Sequence, residues 1–200
     1  MNELHLALHG LAIKKHAGPA AIAGAVGLNE LRVAELLQQA TVTGRSVEAQ
    51  GGYMLSPAGR MILDGLYSKV YANEREDQAV LQAYARFERI NTELKHLITD
   101  WQMVDVGAQK VRNDHANQDY DARVLDRLGD LHERTTPILT AMSQRVPRLG
   151  IYQRKLENAL ERAEAGATQW VSDAKLESYH TVWFEMHEDL LRILGREREA

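Results

Sequence analysis

The sequence predicts a mainly α fold in two parts, with one small β-hairpin near the N-terminus and an all-helical remainder. Three observations carry this. Apolar residues recur at three- and four-residue steps over most of the chain, the helical period. Only one stretch, around Gln50-Gly51-Gly52, combines glycines with short flanking strand-like segments. The helix starts and stops fall in an order that breaks near residue 72, which gives an N-terminal domain over 1–72 and a helical domain over 73–200.

The first element is a helix carrying Leu4, Leu6, Leu8, Leu11 and Ile13, with Lys14-Lys15-His16 near its end, where cations suit the helix dipole. Gly18-Pro19 restarts the chain, since proline at a first helical position lacks no needed N–H. The helix Pro19 to Val26 stops at Gly27, a residue suited to a left-handed cap. Asn29 caps the next helix, Glu30 to about Ala40, which turns Val33, Leu36, Leu37 and Ala40 inward. Strands over Ser46–Ala49 and Tyr53–Leu55 flank the glycine turn, and Ser56-Pro57 opens a further helix with Met61, Ile62, Leu66 and Val70 as its apolar side.

Helix, short helix, glycine turn, second helix, hairpin and helix is the order of a winged helix-turn-helix. The expected architecture is therefore mainly α, an N-terminal winged helix-turn-helix with a small β-hairpin wing followed by an all-α C-terminal helical bundle. Ile22-Ala23-Gly24-Ala25-Val26-Gly27-Leu28 and Tyr53-Met54-Leu55-Ser56-Pro57-Ala58-Gly59-Arg60 resemble bacterial regulators of the MarR and PadR type. In those, a Tyr-x-Leu-Ser/Thr-x-x-Gly segment closes the wing. The resemblance covers about a third of the chain and implies DNA binding. The helix opened by Asn29 would then enter the major groove, Arg32 reading guanine and Gln38 or Gln39 adenine. Lys14, Lys15, Arg45 and Arg60 would contact phosphates. Glu30 and Glu35 on the same helix oppose this, because they repel phosphate.

In the remainder, Asn73-Glu74-Arg75-Glu76 reads as a capping box opening a helix through Val80, Tyr84, Phe87, Leu94 and Trp101. A second helix runs from about Asp119 to Met142, with Pro137 expected to kink or restart it. A third spans Ile151 to Ala163 and ends at Gly166, and a fourth, capped by Ser172-Asp173, carries Leu176 to Leu194. The last few charged residues read as a tail.

Glu93/His96 and Glu177/His180 have the Glu-x-x-His spacing of bundle dimetal sites, but His96 falls opposite its helix's apolar stripe, and no metal is expected. His180, Trp183 and His187 share the apolar face of the fourth helix. They are either hydrogen-bonded interior groups or part of an aromatic-lined ligand pocket with Trp101 and His132 as further walls. Asn117-x-Asp119-x-Asp121 starts like a calcium loop, then fails at Ala122 and Leu128; the polar run Arg112–Asp121 reads as a loop plus helix cap, with a lesser option of function for Asp114 and His115.

Hydrophobic residues make up 44% and charged residues 26%, an ordinary globular balance, and no apolar run is long enough to span a membrane. With no cysteine, disulfides and thiol chemistry are excluded. The expected location is cytoplasmic, since no secretory leader is visible. Net charge is −4, with the N-terminal segment close to neutral and the acids concentrated later. No nucleotide, hydrolase or metalloprotease motif is present, so neither an enzyme nor a cofactor is expected. The leading expectation is a DNA-binding transcriptional regulator whose helical domain dimerises, senses a small-molecule effector, or both, with double-stranded DNA and a second copy of the chain (a homodimer) as partners. The alternative is a protein-interaction or accessory module using the winged helix as a docking surface. The segment Ser178–Leu191 resembles uncharacterised actinobacterial helical domains associated with phosphoenolpyruvate-utilising enzymes, which implies such a partner. An all-helical metal enzyme is the third.

Overall fold

The computed structural model describes residues 1–107 and 109–197. The expected C-terminal tail falls largely on residues 198–200, outside the described residues. The chain forms two compact units, Met1–Asp77 with Glu185–Ala200, and Gln78–Phe184. The first division thus falls at Asp77 rather than at residue 72, and the final stretch groups with the N-terminal part. Among the described residues no helix is long and apolar enough to cross a membrane.

The first unit begins with α1 (Glu3–Lys14), β1 (His16–Ala17), α2 (Pro19–Val26) and α3 (Glu30–Val42). It continues with β2 (Ser46–Ala49), β3 (Gly52–Leu55), α4 (Pro57–Val70) and α5 (Ala72–Glu76). The caps expected from the sequence are in place. Gly27 is left-handed at φ 73° behind α2, and Asn29 Oδ1 accepts from the Leu31 and Arg32 N–H groups at 3.0 and 3.3 Å. Leu8, Leu11, Ile22, Val33 and Leu37 are buried where α1, α2 and α3 pack. Gly10 lets α1 approach α2, since a Cβ there would stand 2.7 Å from Ile22 Cγ2.

The sheet order is β1-β3-β2, all antiparallel. Gln50 and Gly51 form the two-residue hairpin loop, both with positive φ as the twist of such a hairpin requires. The third strand, β1, is only two residues long and leaves no alternation to read. It is fixed by His16, whose Nε2 lies 2.9 Å from the Ala49 carbonyl oxygen. Two sequence expectations change here. The apolar side of α4 is Leu63 and Tyr67, whereas Met61 and Ile62 are 76% and 41% exposed and Val70 is exposed too. The buried face is set by Gly59, where a Cβ would collide with the Arg45 carbonyl, so α4 meets the hairpin base along Gly59, Leu63 and Tyr67. The long helix expected to open at Asn73 begins at Gln78 instead, and Asn73 lies in the separate short α5.

The second unit contains α6 (Gln78–Gln102), β4 (Met103–Val106), β5 (Gln109–Arg112), α7 (Gln118–Arg145) and α8 (Gly150–Glu164). It also holds the first residues of α9 (Tyr179–Leu194), as far as Phe184. It is bundle-like but not all-α, because β4 and β5 pair as an antiparallel hairpin at the end of α6. Sequence reading missed it because Met103-Val104-Asp105-Val106 is brief and half exposed. Pro137 lies inside a continuous α7 instead of ending it. Leu131, Ile138, Leu139 and Met142 are buried on both sides of it, and that packing offsets the roughly 3 kcal/mol a mid-helix proline costs. The fourth helix starts at Tyr179, not near Ser172: Asp173 Oδ1 accepts from Lys175 N–H in a local turn, and Ser178 Oγ accepts from Thr181 N–H as the cap.

Candidate nucleic-acid interface and a polar cavity

Of the residues expected to meet DNA, Arg32, Gln38 and Gln39 lie on α3, Arg45 leads into β2, Arg60 lies on α4, and Lys14 and Lys15 stand at the end of α1. The segment Tyr53-x-Leu55-Ser56-x-x-Gly59 acts as a clamp at the hairpin base. The Ser56 hydroxyl donates to the Gly44 carbonyl at 2.6 Å and accepts from Gly59 N–H at 3.0 Å, while Ser56 N–H donates to the Arg45 carbonyl at 3.1 Å. The absent Gly59 side chain leaves room for that carbonyl. The clamp fixes the hairpin beside α4, and Arg45 leads into the hairpin half-buried.

The electrostatics of this face differ from a simple reading of the sequence. Arg32 is held by Glu3 at 2.8 Å and by Glu35 at 3.0 Å, and these bonds, the one to Glu3 first, push its guanidinium further toward the charged form. Lys14 is mostly buried and paired to Glu185 at 2.6 Å, so it faces the C-terminal segment and not solvent. Lys15 is more open but lies 3.3 Å from Glu188. The expectation that these two lysines reach phosphates counted charges along the chain, and the fold returns α9 acids to α1. The first unit accordingly holds ten Lys/Arg against thirteen Asp/Glu, not the near-neutral balance of its N-terminal part. Asn29 spends its side chain on the α3 cap. Gln38, Gln39 and Arg60 are exposed, Arg60 on the rim of a cavity of about 260 Å³ with Asp64. Leu31 and Val42 of α3 are 76% and 88% exposed.

The residues expected to line a ligand pocket have separate surroundings. Trp183 is core: its Nε1–H donates to Asn91 Oδ1 at 3.0 Å, and it stacks with Phe87 at 5.0 Å and Tyr179 at 6.1 Å. His187 is buried and belongs to the first unit, whereas His180 and Trp183 belong to the second. His132 Nδ1 lies 3.3 Å from the Tyr179 hydroxyl and borders a shallow depression with Glu133 and Thr136. Desolvation lowers the pKa of both His132 and His180 below the ordinary imidazole value. The Glu-x-x-His carboxylates are both engaged in ion pairs, Glu93 with Arg134 at 2.6 Å and Glu177 with Lys155 at 2.5 Å.

Trp101 lines a cavity of about 640 Å³ in the second unit. It does so beside Arg112, Asn113 and His115, from the run the sequence marked as polar connector. Asn117 is the α7 cap that reading anticipated, accepting from Tyr120 N–H at 3.0 Å, and Asp114 accepts from Ala116 N–H at 3.1 Å in a turn. Asn113 and Asp121 were missed as an organising pair. Their only sequence signal is the density of polar side chains between Arg112 and Asp121. Comparison of the chain with protein-family models, curated proteins and solved structures gives no match.

Proposed function

We propose that the chain is a DNA-binding transcriptional regulator. Its first unit is a winged helix-turn-helix that lays α3 in the major groove. Its second unit is a sensing and dimerising part. The observation that carries this reading is the exposure of Gln38 and Gln39 on an α3 rigidly capped by Asn29, beside a hairpin clamped through Ser56 and Gly59. Glutamine amides suit adenine edges, and they need no positive field to do so. With Arg32 tied to two glutamates and Lys14 buried, Lys15, Arg45 and Arg60 remain for phosphate. The affinity then falls with salt along a log–log slope of about −3 per protomer, at about 0.9 per phosphate.

Fluorescence anisotropy on the DNA flanking the gene, and on a genomic selection library, tests this from about 50 to about 200 mM salt. Sequence-specific binding with that shallow slope is expected. Gln38→Ala and Gln39→Ala should each relax specificity, and Glu3→Gln combined with Glu35→Gln should tighten binding by freeing Arg32 from both carboxylates. No retained sequence from the library overturns the proposal. A second reading, docking of α3 against a protein partner such as an enzyme, is favoured by Leu31 and Val42 standing exposed on that helix among Glu30 and Glu35.

A further inference from the structure

Asn113 is buried and its two Nδ2 hydrogens have two good acceptors, the Trp101 carbonyl and Asp121 Oδ1, each at 3.0 Å. Its Oδ1 accepts the His115 backbone N–H at 3.0 Å. With both amide hydrogens spent, the 3.2 Å approach of Asn113 Nδ2 to His115 Nδ1 carries no donated proton. His115 Nδ1–H therefore donates to Asp121 Oδ2 at 2.9 Å, and the neutral ring keeps its lone pair at Nε2. The imidazole rests against Trp101 at 4.6 Å between centroids. Its backbone is left-handed at φ 60°, a conformation that costs a non-glycine residue about 1–2 kcal/mol and persists where neighbours over-determine it.

This held ring is one third exposed and faces the cavity of about 640 Å³. Among the described residues Arg112 is the one Lys/Arg cation on the cavity wall, and Thr168 and Ser172 add hydroxyls. Asp173, an acid on the same wall, has an oxygen engaged by Lys175 N–H at 2.8 Å. Such a wall offers a positive group and a fixed hydrogen-bond acceptor on a partly aromatic floor.

We propose that this cavity binds a small organic acid that also carries a hydroxyl or amino group, with Arg112 holding the carboxylate and His115 Nε2 accepting the hydroxyl or ammonium hydrogen. The proposal rests on the assignment of sensing to the second unit but not on DNA binding. A site built to hydrogen-bond a ligand donor rejects the analogue lacking it, because its own acceptor is then left unpaired.

Titration calorimetry on the full chain with two matched sets tests it: 3-phenyllactate, phenylalanine and 3-phenylpropionate, and lactate, alanine and propionate. In at least one set the hydroxy or amino acid should bind at least tenfold more tightly than the acid without the donor, and which of the two does so names the ligand type. Arg112→Gln should weaken all binding tenfold or more. His115→Phe keeps a ring on Trp101 and should abolish the discrimination while circular dichroism stays unchanged; should that variant lose its fold, His115→Leu, which offers no acceptor, and the matched acids on the unaltered chain decide the same point. Absence of millimolar or tighter binding by every acid, or equal discrimination in the His115 variants, overturns the site. Binding of the acids by a protein that shifts no DNA leaves this site standing and removes only the regulator.

Discussion

His9 and His115 each lie against an aspartate, one pair in each unit, and their surroundings differ in one respect that decides their use. His9 Nε2 is 3.3 Å from Asp189 Oδ1, and its Nδ1 lies 2.7 Å from the Tyr67 hydroxyl. Both side chains are at most 1% exposed, so the group fastens α1, α4 and the α9 segment of the first unit and meets no solvent. Lys14 with Glu185, Arg192 with Glu188, and Arg75 donating to the Arg192 and Ile193 carbonyls surround it on the same segment. His115 has an aspartate contact of the same kind and an aromatic neighbour, but it is one third exposed and lines a cavity. An imidazole beside a buried carboxylate is a fastener when the protein closes over the whole ring, and can serve as a binding group when the ring stands at a cavity wall.

The comparison breaks most visibly at His9. His9→Leu leaves Asp189 buried beside an apolar group, and removing one member of a buried pair costs about 3–5 kcal/mol. Urea denaturation at neutral pH should show a loss of that size in the first unit. Replacing Asp189 by Leu in that variant should restore part of it, because two apolar groups then face one another. No recovery in the double variant would mean that the pair is not what fastens α9 to α1. The next effect is smaller. Asn113→Ala strands the Trp101 carbonyl and loosens both His115 and Asp121, at about 1–3 kcal/mol for buried polar groups left unmatched.

Why one pair was legible and the other was not follows from chain distance. The cluster Arg112 to Asp121 lies within ten residues, so its polar density shows in the sequence even though its geometry does not. His9, Tyr67 and Asp189 are scattered along the chain, and nothing local marks them. The same reason explains the elements. Gly27, Asn29, Ser56 and Pro57 announce helix ends because caps are local chemistry, and all four act as expected. The face of α4 did not follow from its apolar residues, since Ile62, Leu66 and Val70 form a stripe that the fold leaves exposed at Ile62 and Val70 and only half-buried at Leu66, in favour of Leu63 and Tyr67. Burial there was chosen by Gly59 against the Arg45 carbonyl, a contact that only the hairpin's position reveals.

His132 and His180 supply a third case, imidazoles on which desolvation is the foremost influence. Burial lowers both pKa values below 6.5, so between that value and the lower folded ones the unfolded chain binds more protons than the folded chain. Stability in the second unit is therefore complete above about pH 6.5 and falls as pH drops through that window. The urea midpoint should be lower at about pH 5.5 than at about pH 7.5, and His132→Gln with His180→Gln should shrink the difference. An unchanged difference would place the acid sensitivity elsewhere.

The finest distinction is reached through Asp121→Asn. Asp121 accepts two hydrogens in the native protein, from Asn113 Nδ2 and from His115 Nδ1. Asparagine can keep its oxygen toward the Asn113 donor only by turning its own NH₂ toward His115 Nδ1. That nitrogen must then be the acceptor, and the ring's hydrogen moves to Nε2. Every hydrogen bond is retained with one direction reversed, so the stability cost should be about 1 kcal/mol or less. What changes is the group shown to the cavity, from an acceptor to a donor. The variant should then prefer phenylpyruvate, whose keto oxygen accepts, over 3-phenyllactate, whose hydroxyl donates, reversing the native order. Nitrogen-15 shifts of the His115 ring read the tautomer directly, so a moved hydrogen without a reversed ligand order would separate the ring's orientation from any part in binding.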